Sequence, residues 1–154
     1  MEFFEECSAI NNLLANGKEN LARHRVIKLL DYCRQRNLAH GELLNHLIRQ
    51  AGLYPYLTLA SSNWSDRFAS EAFKSDIGNT EQAVLHREQA NLLQRLFDGQ
   101  DIAVSAPTSF GKSFIVDSFI ATKKPHNVVI IVPTIALADE TRRRLQKKFA
   151  REYR

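Results

Sequence analysis

The segment Ala106–Pro107–Thr108–Ser109–Phe110–Gly111–Lys112–Ser113 constrains this 154-residue chain more than any other. It fits the G-x-x-x-x-G-K-[ST] phosphate loop at every fixed position but the first, where Ala106 replaces glycine. Its surroundings fit as well. Ile102–Ala103–Val104 predicts a short strand leading in, and a helix from about Lys112 to Ala121 leads out. That helix carries Phe114, Ile115, Val116, Phe119 and Ile120, apolar around most of its surface. Val128 to Val132 is a near-continuous β-branched run, the pattern of a strand buried on both faces. Pro133–Thr134 opens a last helix expected to reach about Ala150. Strand, loop, helix, strand, helix is the start of a parallel α/β sheet.

The chemistry of phosphate binding explains the residue types. A β-phosphate needs a ring of backbone N–H donors, supplied by a loop that curls into a helix N-terminus. Gly111 lets the backbone approach without a Cβ in the way, and Lys112 places an ammonium between the β- and γ-phosphates. The Ser113 hydroxyl can take one coordination position on Mg²⁺.

The first half has a different grammar. Phe3, Phe4, Cys7, Ile10 and Leu14 recur at helical spacing and stop at Asn16–Gly17. Ala22, Val26, Leu29, Leu30 and Cys33 form a second stripe; Leu43, Leu44, Leu47, Ile48 and Ala51 form a third, ended by Gly52. Pro55 predicts an extended connection around Leu53–Leu57. A fourth helix is expected from Ser62–Asn63, with Trp64 and Phe68 as core residues. The apolar period lapses between Lys74 and Thr80, which divides the chain into a helical domain over 1–78 and an α/β portion over 79–154. A further helix with Leu85, Leu92, Leu93, Leu96 and Phe97 closes at Asp98–Gly99.

Charge follows the same division. The net charge of +4 lies wholly beyond residue 80, and Arg142, Arg143, Arg144, Lys147, Lys148, Arg151 and Arg154 face only Glu152 near the end. Such a run is either a solvated helix face or an electrostatic strip for nucleic acid. Residues 1–73 are close to neutral and lack a basic stripe, so they read as a docking or regulatory unit rather than a nucleic-acid reader. Cys7 and Cys33 fall on apolar stripes, and His24, His40, His46, His86 and His126 carry no metal-ligand spacing. No apolar run is long enough to span a bilayer, so a reducing, cytoplasmic setting without membrane attachment is expected.

The wording of the loop resembles motif I of superfamily 2 helicases, the DEAD/DEAH-box and Ski2-like group, which reads A-x-T-G-x-G-K-[ST] or A-P-T-[GS]-x-G-K-[ST]. Ala106 stands where that group also has alanine, and Ser109 replaces its usual middle glycine. Two further stretches are similar in order and spacing. The family's Q motif places a glutamine about two dozen residues before the motif I lysine, and Gln89 lies 23 residues before Lys112. The resemblance gives Gln89 the adenine edge, which suits a carboxamide with one donor and one acceptor face. Pro133–Thr134–Ile135–Ala136–Leu137 resembles the P-T-x-x-L of motif Ia, whose loop contacts a single strand's sugar-phosphate backbone. Thr134 has two readings, phosphate donor or ordinary helix cap.

The resemblance covers about residues 84–145 and implies a RecA-like lobe that binds ATP with Mg²⁺ and acts on single-stranded DNA or RNA. It also implies motif II, an Asp-Glu pair after a hydrophobic strand, and Asp139–Glu140 is not it, because it lies inside the motif Ia helix. With two strands in sight the sheet is incomplete. The expectation is therefore the N-terminal part of a longer helicase or translocase, without turnover of its own. The alternative is a helical protein-interaction module on a vestigial or different P-loop ATPase.

Overall fold

The computed structural model describes residues 3–58, 63–151 and 153. The chain forms two compact units, Met1–Phe73 with Val84–Arg87, and Lys74–Ala83 with Glu88–Arg154.

The first unit is helical. α1 (Phe3–Ala15), α2 (Glu19–Gln35) and α3 (Glu42–Gln50) bury most of the apolar stripes read from the sequence, but Phe4 and Leu43 of those stripes are exposed. Their core holds Cys7 and Ile10 of α1, Ala22, Val26, Leu29 and Cys33 of α2, and Leu44, Leu47 and Ile48 of α3. The stops work through local backbone chemistry. At Gly17 the chain turns left-handed (φ +68°), and Lys18 N–H reaches back to Leu13 C=O at 2.9 Å while Gly17 N–H bonds Leu14 C=O at 3.1 Å. Arg25 of α2 closes the α1–α2 pair with two bonds to the Glu6 carboxylate, Nε to Oε1 at 2.7 Å and Nη2 to Oε2 at 2.6 Å.

Two expectations for this unit are corrected. Leu53–Leu57 is not fully extended: Tyr54–Tyr56 makes a single 3₁₀ turn with Pro55 near its start, where a missing N–H costs nothing. Trp64 and Phe68 are 77% and 68% exposed, not core. α4 (Trp64–Ala72) begins behind the N-cap Asn63, whose side chain accepts from Asp66 N–H at 3.1 Å. It turns Asp66, Ala69 and Ser70 inward instead. Asp66 can be buried because Asn45 Nδ2 donates to it at 3.2 Å and Arg49 pairs with its other oxygen. Ser62, expected at this helix start, lies outside the described residues.

The second unit opens with β1 (Lys74–Asp76) and β2 (Gln82–Val84), an antiparallel pair where the sequence pattern had lapsed. The tight turn between them holds Asn79 and Thr80 at φ +53° and +61°, with Glu81 N–H bonded to Gly78 C=O at 3.0 Å. α5 (Arg87–Phe97), a 3₁₀ turn at Thr108–Phe110, α6 (Lys112–Lys123) and α7 (Ile135–Phe149) follow.

The expected parallel sheet does not form among the described residues, where β1–β2 is the whole sheet. Ile102–Val104 and Val128–Val132 run without ladder partners. Val129 and Ile131 are 85% and 91% exposed, so the second segment is not buried on both faces. Burial of that kind needs a hydrogen-bonded neighbour on each side and a layer over each face, and neither segment meets one here. A period of two survives: Val128, Ile130 and Val132 line a groove of about 900 Å³ along α7, opposite to Val129 and Ile131. Among the described residues no helix is long and apolar enough to cross a membrane.

Candidate phosphate-binding and strand-contact site

The loop of the second unit is held from three directions. Pro107 precedes the 3₁₀ turn, within which Phe110 N–H bonds Pro107 C=O at 3.1 Å. Gly111 then takes φ +77°, a left-handed conformation that costs a residue with a Cβ and costs glycine little. α6 begins at the next residue, and no side chain caps it. Phe114 N–H of the first turn closes on the Gly111 carbonyl at 2.9 Å, and the helix start, with its dipole, lies beside the loop, the arrangement that favours an anion.

Lys112 folds back over its own loop. Its ammonium donates to the Ala106 carbonyl at 2.6 Å and the Pro107 carbonyl at 2.9 Å. The charge is thus poised above the loop and held by neutral acceptors, which a phosphate oxygen can replace with a stronger, charge-assisted bond. Thr108 and Ser109 are exposed on the 3₁₀ turn, and Ser113 is exposed in the first turn of α6.

Gln89 is brought to the same loop. It is buried on α5, and its side-chain amide donates to the Phe110 carbonyl at 2.8 Å. A Cβ added to Gly111 would lie 2.7 Å from Gln89 Nε2, so the Gln89 amide would have to shift; the backbone angle is what requires glycine. The residues from 106 to 113 with Gln89 thus form one constellation whose shape fits a nucleotide phosphate. That fit rests on the uncapped helix start, the left-handed Gly111 and the inward ammonium.

Pro133 and Thr134 belong to a separate helix start. Thr134 caps α7, its Oγ1 accepting from Leu137 N–H at 3.2 Å, as the capping reading expects. The hydroxyl keeps its own proton to donate. Pro133, Thr134 and Ile135 are all exposed, Ile135 at 89%.

Asp139 lies in α7 and is occupied there by Arg142 at 2.9 Å and Arg143 at 2.6 Å. The hydrogen bond from Arg142 holds its carboxyl below the usual carboxylate range. The rest of the basic run is not simply a solvated face. Arg144 and Lys148 turn inward onto Asp117 of α6, which is 2% exposed. Sequence reasoning missed Asp117. Its signal was a lone carboxylate inside the mostly apolar Phe114–Ala121 stretch.

Comparisons with known proteins divide along the same lines. Residues 1–67 match the Anti-bacteriophage protein B N-terminal domain, and residues 86–154 match the DEAD/DEAH box helicase family. Anti-bacteriophage protein B of Escherichia coli (strain K12) is 38% identical over 153 residues, which are 97% of this chain and 21% of that protein. The chain thus spans about a fifth of the length of this curated relative. No solved structure matches it. The second half is helicase-like, and the chain is homologous to a protein named for action against bacteriophage.

Proposed function

We propose that this chain is the N-terminal part of an ATP-dependent nucleic-acid motor of the superfamily 2 type, the DEAD/DEAH-box and Ski2-like group. A helical accessory domain over 1–78 precedes the start of a RecA-like lobe over 79–154. The observation that carries the reading is the Lys112 ammonium, folded over the Ala106 and Pro107 carbonyls beside an uncapped α6 and a left-handed Gly111. The helicase match over residues 86–154 supports it.

In this reading Ala106 to Ser113 cradle the ATP phosphates. Lys112 would hold the phosphate oxygens with its ammonium in place of its carbonyl partners, and Ser113 would offer its hydroxyl to Mg²⁺. Bound Mg-ATP supplies the cleavable γ-phosphoryl group whose hydrolysis drives the motor. Gln89 shapes the loop through Phe110, and the resemblance gives its carboxamide the adenine edge to read. Pro133 and Thr134 present an exposed helix start to the backbone of a single DNA or RNA strand. Asp139 is taken up by two arginines on its own helix, so the water-orienting carboxylates come from elsewhere in the longer protein. Residues 1–154 alone bind nucleotide without turnover.

The helical unit presents Trp64 and Phe68 to solvent, which supports docking of a protein partner there. The name of the relative supports a role for the whole protein against bacteriophage.

The test is a Mg-ATP titration of the full-length protein with Lys112→Ala as control. Binding by the wild type and its loss in the variant are expected. Equal affinity in both would exclude the loop as the nucleotide site. ATP hydrolysis stimulated by single-stranded DNA or RNA, measured in parallel, identifies the strand.

A further inference from the structure

One buried charged cluster has no part in that reading. Asp117 lies in the second turn of α6, just beyond the phosphate loop, and is 2% exposed. Two cations of α7 share its carboxylate: Arg144 pairs with Oδ1, and Lys148 Nζ donates to Oδ2 at 3.0 Å. The same Lys148 ammonium sits 5.4 Å from the centre of the Phe114 ring, in the first turn of α6 next to Ser113. Arg144 and Lys148 are one turn apart on α7 and face the same way.

The distribution of contacts gives this cluster its meaning. The apolar joint between the two helices lies at the far end of α6, where Ile120 and Ala121 meet Phe149, Leu145 and Tyr153. Nearer the loop, the joint is ionic. A buried carboxylate is costly without its partners, and two cations one turn apart fix both the rotation and the height of α7 against α6. α7 cannot slide by one turn without leaving a charge behind. Each helix carries one half of the candidate machinery at its N-terminus: Lys112 and Ser113 on α6, Thr134 on α7.

We propose that Asp117 is a positioning residue that couples the phosphate loop to the strand-contacting end of α7, acting through Arg144 and Lys148. The proposal rests on the motor reading above. The ionic joint makes α6 and α7 one rigid piece, so a strand seated at Thr134 and a nucleotide seated at Lys112 favour the same placement of both helices. Removal of the carboxylate leaves each site intact and uncouples them.

The experiment uses the full-length protein. Mg-ATP affinity, basal hydrolysis, and hydrolysis saturated with a single-stranded DNA or RNA oligonucleotide are measured for wild type, Asp117→Asn, Asp117→Glu and Lys112→Ala. The expected result for Asp117→Asn is ATP affinity within about twofold of wild type and a stimulation ratio lowered about tenfold, within the usual range of coupling between sites. Asp117→Glu recovers part of that ratio. An unchanged ratio in folded Asp117→Asn overturns the proposal, because a purely structural role lowers the melting temperature without altering stimulation. If Asp117→Asn melts below the assay temperature, Lys148→Met, which leaves Arg144 on the carboxylate, is read by the same ratio. Lys112→Ala separates the two levels. Wild-type hydrolysis in that variant ends the motor reading and this proposal together. Lost hydrolysis with an unchanged Asp117→Asn ratio ends this proposal alone.

Discussion

Gln89 and Phe110 are joined across 21 residues by a hydrogen bond from the Gln89 amide nitrogen to the Phe110 carbonyl, at 2.8 Å. The bond fixes the residue before Gly111, whose missing Cβ leaves room for the same amide nitrogen. Gly111→Ala therefore meets two obstacles: the left-handed backbone, which costs about 1–2 kcal/mol, and the approach to Gln89 Nε2. Nucleotide affinity is expected to fall at least about tenfold. Adding Gln89→Ala relieves the crowding but also removes the bond to Phe110 and the proposed adenine contact, so the double variant is expected to lose less than the sum of the two single losses. Calorimetric titration of Mg-ATP into the four proteins of this cycle checks the prediction; purely additive losses would count against the contact.

Trp64 is the single tryptophan of the sequence and is 77% exposed on α4. Its fluorescence is expected at the red, solvent-exposed limit, with acrylamide quenching close to that of the free indole. A blue-shifted, shielded emission would show that this face of α4 is covered. Trp64→Ala is expected to change stability by less than about 0.5 kcal/mol, as surface substitutions do.

That residue marks where the sequence ceased to be a guide. Helical spacing put Trp64 and Phe68 on one stripe correctly but could not say which stripe faces inward. Asp66 took the buried side because Asn45 and Arg49, from another helix, satisfy its oxygens. Helix stops at Gly17, Gly52 and Gly99 were legible because each is settled within a few residues by a left-handed turn. The turn at Gly111 was legible for the same reason, whereas the Gln89–Phe110 contact spans 21 residues and no local pattern encodes it. Strand pairing was not legible either. Val128 to Val132 has the composition of a central strand, but a ladder depends on partners that composition does not supply. Asp117 and Arg144 are 27 residues apart, and nothing local announces their pairing.

The Asp66 cluster predicts its own sensitivity. Asp66 is fully buried, Asn45 beside it likewise, and Arg49 only a quarter exposed on the side chain. Asp66→Ala strands both donors and is expected to destabilise the helical unit by on the order of 3 kcal/mol. Asp66→Asn keeps an acceptor and costs less. Urea denaturation followed by helical circular dichroism orders the three proteins; an Asp66→Ala loss below that of Asp66→Asn would contradict the assignment.

Acid should reveal the α1–α2 tie. The bidentate hydrogen bond from Arg25 holds the Glu6 carboxyl below its ordinary value, against the opposing effect of burial. A depressed carboxyl contributes its full stability above the unfolded value of about 4.3 and loses it as pH falls through the lower, folded value. Arg25 stays protonated throughout that range, so it adds no slope of its own. Glu6→Gln removes the charge at every pH. The variant is expected to be less stable than wild type at neutral pH, by no more than about 1 kcal/mol for a partly exposed pair. The gap should then close as the pH drops below the ordinary carboxylate range and wild-type Glu6 takes up its proton. Urea midpoints of the two proteins across that range decide it: a gap that persists undiminished in acid would assign the tie to packing rather than to charge.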